Sequence, residues 1–473
     1  MRSHKIVVLL LLLALGYLSC RKWEDHVGVY NQNLQHNLLQ LINSDTGLSQ
    51  FSSLLIKTGY DKVIASTRTY TVWAPRNAAI QNLDPAVTGD PAKLKQYVGN
   101  HIANEAWLTA AATTPLRLQM LNGKYVRITS AQFDSAHITR ADQYANNGIL
   151  QVIDSAAGAL PNIWEFVNST TTIYAQDAFM LTLNYTGFDS TRATLDSINP
   201  ATGQPVYVPG TGQVNLNHFT DAYAVNNEDS VYTYFIIRDP AFNTGVTAQK
   251  PFYVTSSTDS TTRFAGFNVV KDLAVRGQYN YSQLPDSLVL LSKYNVRVPI
   301  VKSAITEIHR VSNGVVYVLD HISFPAGDKN PPIVIQGETP TALSSYTTGN
   351  AVSYRYVLNP TTNTPFRDLY VFNVGGPFYA RYHVNNVYST RYHVYWVAPN
   401  DLQTTTFSQR IAMDSSTTTF PYVVVPLMNY SEIYLGDYTT TTFGGHDIYL
   451  INTNSTTSGV NTLDLDYVKL VPF

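Results

Sequence analysis

The chain has 473 residues, enough for about three ordinary domains. Its 44% hydrophobic content and 14% charged content describe a chain able to bury cores, which excludes a disordered protein or a salt-bridge-laced coiled coil. With 31 Lys and Arg against 33 Asp and Glu, no basic footprint for nucleic acid exists. Only seven acids are Glu, at 24, 105, 165, 228, 307, 338 and 432, and tyrosine reaches 33. Asp favours turns and Tyr favours pleated, half-buried strands, so the expectation is a multidomain, β-rich chain with helix in the minority.

The N-terminus opens with Arg2 and Lys5, followed by a 13-residue apolar run over 6–18. A bilayer span takes about 20 residues, so this run has the layout of a secretory signal peptide. It ends Gly16-Tyr17-Leu18-Ser19-Cys20, and Cys20 is the single cysteine. This stretch resembles a bacterial lipobox, in the looser form found in Bacteroidota. The resemblance implies a signal peptide over 1–19, lipidation of Cys20, a tether over 20–30 and attachment to the membrane through the lipid alone. Removal of Arg2 and Lys5 would move the net charge from −2 to −4. Glu24-Asp25 behind the cysteine is similar to the surface-export signal of such lipoproteins, which implies the exterior face of the outer membrane.

A first domain is expected over 31–160. Leu34, Leu38, Leu41 and Ile42 repeat at helical spacing, as do Leu48, Phe51, Leu54 and Leu55, with Gly59 placed to stop the second helix. Tyr70-Thr71-Val72-Trp73-Ala74-Pro75 reads as a strand stopped by proline, and Asn77-Ala78-Ala79-Ile80 as a helix start. Asn147-Gly148 suits a turn with positive φ leading into a closing strand over 148–154. These two motifs, with the Tyr97/His101 segment between them, resemble the three ordered signatures of the fasciclin domain. His101 falls on the histidine of the family's tyrosine–histidine motif, which implies a side chain that holds the fold together.

Residues 163–328 repeat the pattern in degenerate form, with 231–242 paralleling the first signature and Asn313-Gly314 heading a copy of the last. Between them, 185–230 reads as an enlarged loop or hairpin insertion. Pro325, Gly327, Pro331, Pro332, Gly337 and Pro340 have the punctuation of a linker. Beyond it, short apolar runs at 369–374, 391–397, 422–425 and 448–451 are separated by Asn, Gly, Pro and Thr clusters, the spacing of an all-β sandwich. Gly445-His446-Asp447-Ile448 and Leu465-Asp466-Tyr467-Val468 resemble the last strands of a galactose-binding-like jelly roll, so a β-sandwich is expected over 335–473. The fold class is thus two α+β fasciclin-like domains followed by an all-β jelly-roll sandwich.

Catalytic signatures such as His-Glu-x-x-His and Gly-x-Ser-x-Gly are absent, and no catalytic residue, metal ligand or cofactor is assigned. Arg381-Tyr382-His383-Val384 recurs as Arg391-Tyr392-His393-Val394, so neighbouring strands could pair the two imidazoles, with outward strand positions as the plainer reading. Asp464 and Asp466 could help hold calcium or could bond backbone instead. Sugar sites combine exposed aromatic faces with a few amide or carboxylate partners, and the last domain is rich in Tyr. Tyr382, Tyr395, Trp396 and Tyr430 are the candidate platforms. Alternation along the 391–397 run puts Tyr392, Val394 and Trp396 on one face and His393, Tyr395 and Val397 on the other, and one of those faces must be core. The family resemblance implies a non-catalytic surface lipoprotein that binds glycan as an accessory of a polysaccharide-uptake system, with an outer-membrane transporter or lipoprotein as partner. An adhesion or protein–protein module is the alternative that fasciclin domains elsewhere imply.

Overall fold

The structure, a computed structural model, describes residues 32–473 apart from Asn82, Thr113, Ala326, 345–350, Asn373, Gly375, Thr418 and Ser458. The signal, the tether and Cys20 lie outside the described residues. Two compact units form. One holds residues up to Ile163 with the short segments 226–230 and 310–313, and the other holds Trp164–Val225, Val231–His309 and Gly314–Phe473.

In the first unit the Leu spacing produces helices Leu38–Ser44 and Ser49–Thr58, with Leu38, Leu41, Ile42, Phe51 and Leu55 buried. Asn37 caps the first: its side chain accepts from Gln40 N while the Gln40 side chain accepts from Asn37 N. Gly59, at φ 77°, ends the second as expected. The helices cover a seven-stranded sheet ordered Ile102–Ala103, Tyr70–Pro75, Gly148–Ile153, Ala136–Ala145, Gln132–Phe133, Tyr125–Ile128, Leu116–Gln119. Tyr70–Pro75 and Gly148–Ile153 run parallel, Tyr70 opposite Gly148 and Pro75 opposite Ile153, and both are buried throughout. Burial on both faces is why these strands read as unbroken apolar runs. Tyr70, Val72 and Ala74 pack under the helices, while Trp73 joins a second core and stacks on Phe133 at 4.9 Å.

The Asn147-Gly148 pair does something more specific than turn the chain. A Cβ on Gly148 would lie 1.9 Å from the Tyr70 carbonyl oxygen, so only glycine lets the parallel strands close. Asn147 Oδ1 accepts from Leu38 N at 2.9 Å, and its amide donates to Ile64 O and Ser66 O. One buried side chain thereby ties the first helix to the closing strand. His101 is fully buried among Phe51, Tyr97 and Phe133. Ala157 N donates to its Nε2 at 3.4 Å, so the proton sits on Nδ1, which donates to Tyr97 O at 2.9 Å. Burial lowers its pKa to about 4.

The second unit begins with a repeat of the same arrangement. Its sheet is ordered Ala274–Arg276, Tyr232–Ile237, Gly314–Leu319, Ile305–Val311, and the two middle strands are again parallel with Tyr232 opposite Gly314. A Cβ on Gly314 would meet the Tyr232 carbonyl oxygen at 1.8 Å. Gln176, buried on helix Ala175–Leu181, donates to Tyr234 OH and Phe235 O and accepts from Ile237 N. The Asn-, Thr- and Gly-rich insertion forms two hairpins, Asn184–Phe188 with Gln213–Asn217 and Leu195–Ile198 with Pro205–Tyr207.

The segment with linker punctuation is docked through Lys329. Lys329 is buried, its Nζ 2.6 Å from Asp272 and donating to Asn268 O and Val269 O at the C-terminal end of helix Thr258–Val270. Four residues later, Ile333–Gln336 already forms a strand of the sandwich, opposite Tyr467–Pro472. Rings continue the joint: Phe443 packs on Tyr253 at 4.8 Å and Phe264 at 4.9 Å, and Tyr253 meets Tyr388 at 5.8 Å.

The sandwich has a four-stranded sheet, Ile333–Gln336, Tyr467–Pro472, Arg391–Val397, Ile433–Thr439, and a five-stranded sheet, Ala342–Leu343, Tyr379–Val387, Gly444–Asn452, Phe407–Met413, Val423–Val425. A three-stranded sheet, Val352–Leu358, Pro365–Val371, Leu463–Leu465, adjoins them.

The close approach predicts that Gly148→Ala costs about 3 kcal/mol or more in urea denaturation. Gly123→Ala, at φ 83° but with open space around it, should cost about 1–2 kcal/mol. His101 predicts a pH dependence. Its folded pKa lies below the unfolded value, so its full contribution is present above about pH 6.5. As pH falls from there toward 4, the unfolded chain takes up the proton first and about 3 kcal/mol is lost. His101→Gln should flatten that slope of the urea midpoint; an unchanged slope would refute the assignment.

Candidate functional site

Alternation along Arg391–Val397 is as the sequence predicts, and it decides the fate of two candidate platforms. Tyr392, Val394 and Trp396 face the core, with Trp396 at 0% exposure. Tyr382 is 1% exposed and its hydroxyl donates to Gly337 O at 2.8 Å. Trp396 and Tyr382 therefore fill the space between the sheets, and neither presents a ring face to a ligand. This corrects the sequence reading for both.

Tyr395 lies on the opposite face of the same strand, partly exposed, within a row of rings on the outer face of the four-stranded sheet. Pairing places it opposite Tyr434, with ring centroids 5.4 Å apart. Tyr434 in turn meets His393 at 5.8 Å, and His393 stacks flat on Phe473 at 3.8 Å. Tyr434 is 51% and Phe473 48% exposed. Asp437 holds this row in place. It accepts from Tyr434 OH at 2.6 Å, from Arg391 at 3.3 Å, and lies 2.6 Å from His393 Nδ1. The Tyr434 hydroxyl, then His393, hold its carboxyl below the usual range. Arg391 also covers the Phe473 ring at 4.5 Å. At the margin, Glu432 accepts from Tyr467 OH and Lys469 Nζ, each at 2.9 Å. The surface thus offers flat apolar rings bordered by charged donors and acceptors.

The repeated Arg-Tyr-His-Val segments use one device twice. His393 and Arg391 bracket Asp437 on one neighbouring strand, and His383 and Arg381 bracket Asp447 on another, at 2.8 and 3.6 Å. His383 belongs to the five-stranded sheet and His393 to the four-stranded one, so the two imidazoles contact separate aspartates, Asp447 and Asp437.

Tyr430 stands apart from the ring row. It is half-buried, edge-on to Phe366 at 6.1 Å, beside a cluster absent from the sequence reading. Arg355 Nε donates to Asp368 at 2.9 Å and Nη1 to Asp401 at 2.6 Å, while Nη2 reaches Asp368 and lies 3.6 Å from Asp464. The guanidinium also lies 4.6 Å from the Tyr370 ring centroid. Asp464 is tied to backbone as well, its Oδ2 accepting from Asn400 N at 2.7 Å. Burial, then the Asp368 charge, raises the Asp464 carboxyl against the pull of Arg355. The three carboxylates converge on a guanidinium and not on an open cleft. The available signal was cross-strand: Arg355 lies directly opposite Asp368 in the hairpin of Val352–Leu358 with Pro365–Val371. Removing the central cation would leave buried carboxylates unpaired. Arg355→Ala should therefore cost about 3–5 kcal/mol in chemical denaturation of the sandwich, and a cost near zero would show the cluster to be incidental.

Comparison with known proteins agrees with the first unit. Residues 46–157 match the model of the Fasciclin domain family. Pig transforming growth factor-beta-induced protein ig-h3 is 26% identical over 129 residues, 25% of this chain. That match spans only 19% of the relative's own length. Among solved structures, the FAS1 domain pair of the insect cell adhesion molecule fasciclin I aligns with 60% of this chain and 98% of its own, at 16% identity and a TM-score of 0.23. A family 35 carbohydrate-binding module from Clostridium thermocellum aligns with 30% of this chain and 98% of its own, at 15% identity and a TM-score of 0.22. The chain carries a fasciclin domain over 46–157 within a β-rich, multidomain architecture.

Proposed function

We propose that this protein is a non-catalytic surface lipoprotein, anchored to the outer membrane through Cys20 and facing the exterior, that binds glycan on its C-terminal sandwich. The observation that carries this reading is the ring row of Tyr395, Tyr434, His393 and Phe473 on the outer sheet face, braced by Asp437 and Arg391. Sugar rings present apolar CH faces and peripheral hydroxyls, and this surface supplies flat rings beside carboxylate, guanidinium and phenol groups. The row sits on paired strands rather than loops, which keeps its geometry fixed in advance of binding. A role beside a polysaccharide-uptake system, with an outer-membrane transporter or lipoprotein as partner, is part of this proposal and rests on the resemblance to lipidated fasciclin proteins that end in a jelly roll. The non-catalytic part of this reading is consistent with the convergent carboxylates Asp368, Asp401 and Asp464, which are committed to Arg355.

A second reading, contact with a protein partner, is favoured by one observation. The hairpins of the second repeat expose Phe188, Leu195 and Ile198 on the insertion, and Val289 and Leu291 on strand Ser287–Leu291. Such apolar surface suits a protein interface better than a sugar.

Isothermal titration of the Cys20→Ser chain against plant and host polysaccharides separates the two. Glycan binding that weakens about tenfold in Tyr434→Ala and in Tyr395→Ala, each still folded, is the expected result. Heat that is absent with every glycan, or unchanged by both substitutions, would move the function to the hairpins.

A further inference from the structure

The second repeat contains a cavity of about 670 Å³ that the glycan reading does not use. Its walls are Leu183, Phe264, Phe267 and Tyr294, and its volume falls within the range of small-molecule sites, about 300–1,000 Å³. The rings are held before any ligand arrives. Phe264 packs on Phe443 at 4.9 Å, and Tyr294 is edge-on to Tyr223 at 6.4 Å with Lys271 Nζ 5.6 Å from its centroid.

The charges lining the cavity are unequally committed. Asp221 already accepts from Tyr185 OH at 2.8 Å, with His218 Nδ1 3.9 Å away. Of the cations, Lys293 uses one donor on Ala222 O at 2.8 Å, which leaves the rest of its ammonium free to donate. Arg263 makes no ion pair or side-chain hydrogen bond among the described residues. The lining therefore combines aromatic walls with an unspent guanidinium and a partly spent ammonium, while its one carboxylate is occupied. We propose that this cavity binds a small amphipathic carboxylate with an aromatic body, the ring between Phe267 and Tyr294 and the acid group on Arg263 and Lys293. A carboxylate matches the planar fork of Arg263 and has no counterpart among the neutral hydroxyls of a sugar.

The test is isothermal titration of the Cys20→Ser chain with 4-phenylbutyrate and with 4-phenylbutan-1-ol, which share a body and differ in charge. The acid should bind about tenfold more tightly than the alcohol, the factor that about 1.4 kcal/mol makes. Arg263→Ala, an exposed position whose loss leaves the fold intact, should remove that preference, and Arg263→Lys should restore part of it. Ser260→Trp, placed on the cavity wall, should abolish binding of both compounds while the melting temperature stays unchanged. Equal binding of acid and alcohol, binding that survives Ser260→Trp, or no binding of either compound would overturn the proposal. None of these outcomes depends on whether the sandwich binds glycan.

Discussion

Two buried parallel strands that approach too closely for any side chain govern the chain from residue 32 to the sandwich. In each repeat a glycine faces the first carbonyl of the opposing strand, Gly148 against Tyr70 and Gly314 against Tyr232. A parallel pair needs a long crossover between its members, and all helices of the repeat lie in that crossover or just before it. In the observed register a Cβ at either glycine would meet that carbonyl oxygen at 1.9 or 1.8 Å, so each glycine is tied to its place opposite the tyrosine. The asparagine before each glycine then fixes the entering helix: Asn147 accepts from Leu38 N, and Asn313 accepts from Ile163 N in the same manner. Two adjacent residues thus set strand register and helix position together.

In the sandwich, fixed ion pairs take the part that backbone approach plays earlier. Arg355 gathers three carboxylates from separate segments, and Asp437 and Asp447 each hold an arginine and a histidine from a neighbouring strand. Buried or half-buried charges contribute little net stability over an apolar core, but each punishes any arrangement that leaves one member alone. The ring row on the outer face inherits this rigidity, since Asp437 is bonded to two of its rings directly.

Much of this was legible in the sequence for identifiable reasons. Tyr70–Pro75 announced itself because a strand buried on both faces is an uninterrupted apolar run and the proline ends it. Arg391–Val397 was legible through period-two alternation. What alternation cannot say is which face is core, and that ambiguity placed Trp396 and Tyr382 among the platforms while Tyr434 and Phe473 went unremarked. Register across strands was equally invisible, so the Arg355–Asp368 pair had no signal without a hairpin alignment. The packing of the linker was illegible for a different reason. Gly and Pro mark irregular backbone, and irregular backbone can still be buried when a lysine amine satisfies the carbonyls at a helix end, as Lys329 does.

Lys329 also decides how the chain can be taken apart. Between Arg310 and Arg355 it is the only lysine or arginine, so a trypsin-like protease has one peptide bond to choose in the whole passage from the second repeat to the sandwich. That bond follows a side chain clamped by Asp272 and covered by Phe324 at 3.8 Å. A protease must bind its target extended and with the lysine withdrawn into its own pocket, which here requires breaking a buried ion pair and unseating the first sandwich strand. Irregular composition would ordinarily mark this passage as the place where digestion separates the domains. Its chemistry makes it one of the better-guarded stretches of the chain, despite a composition that marks it as open.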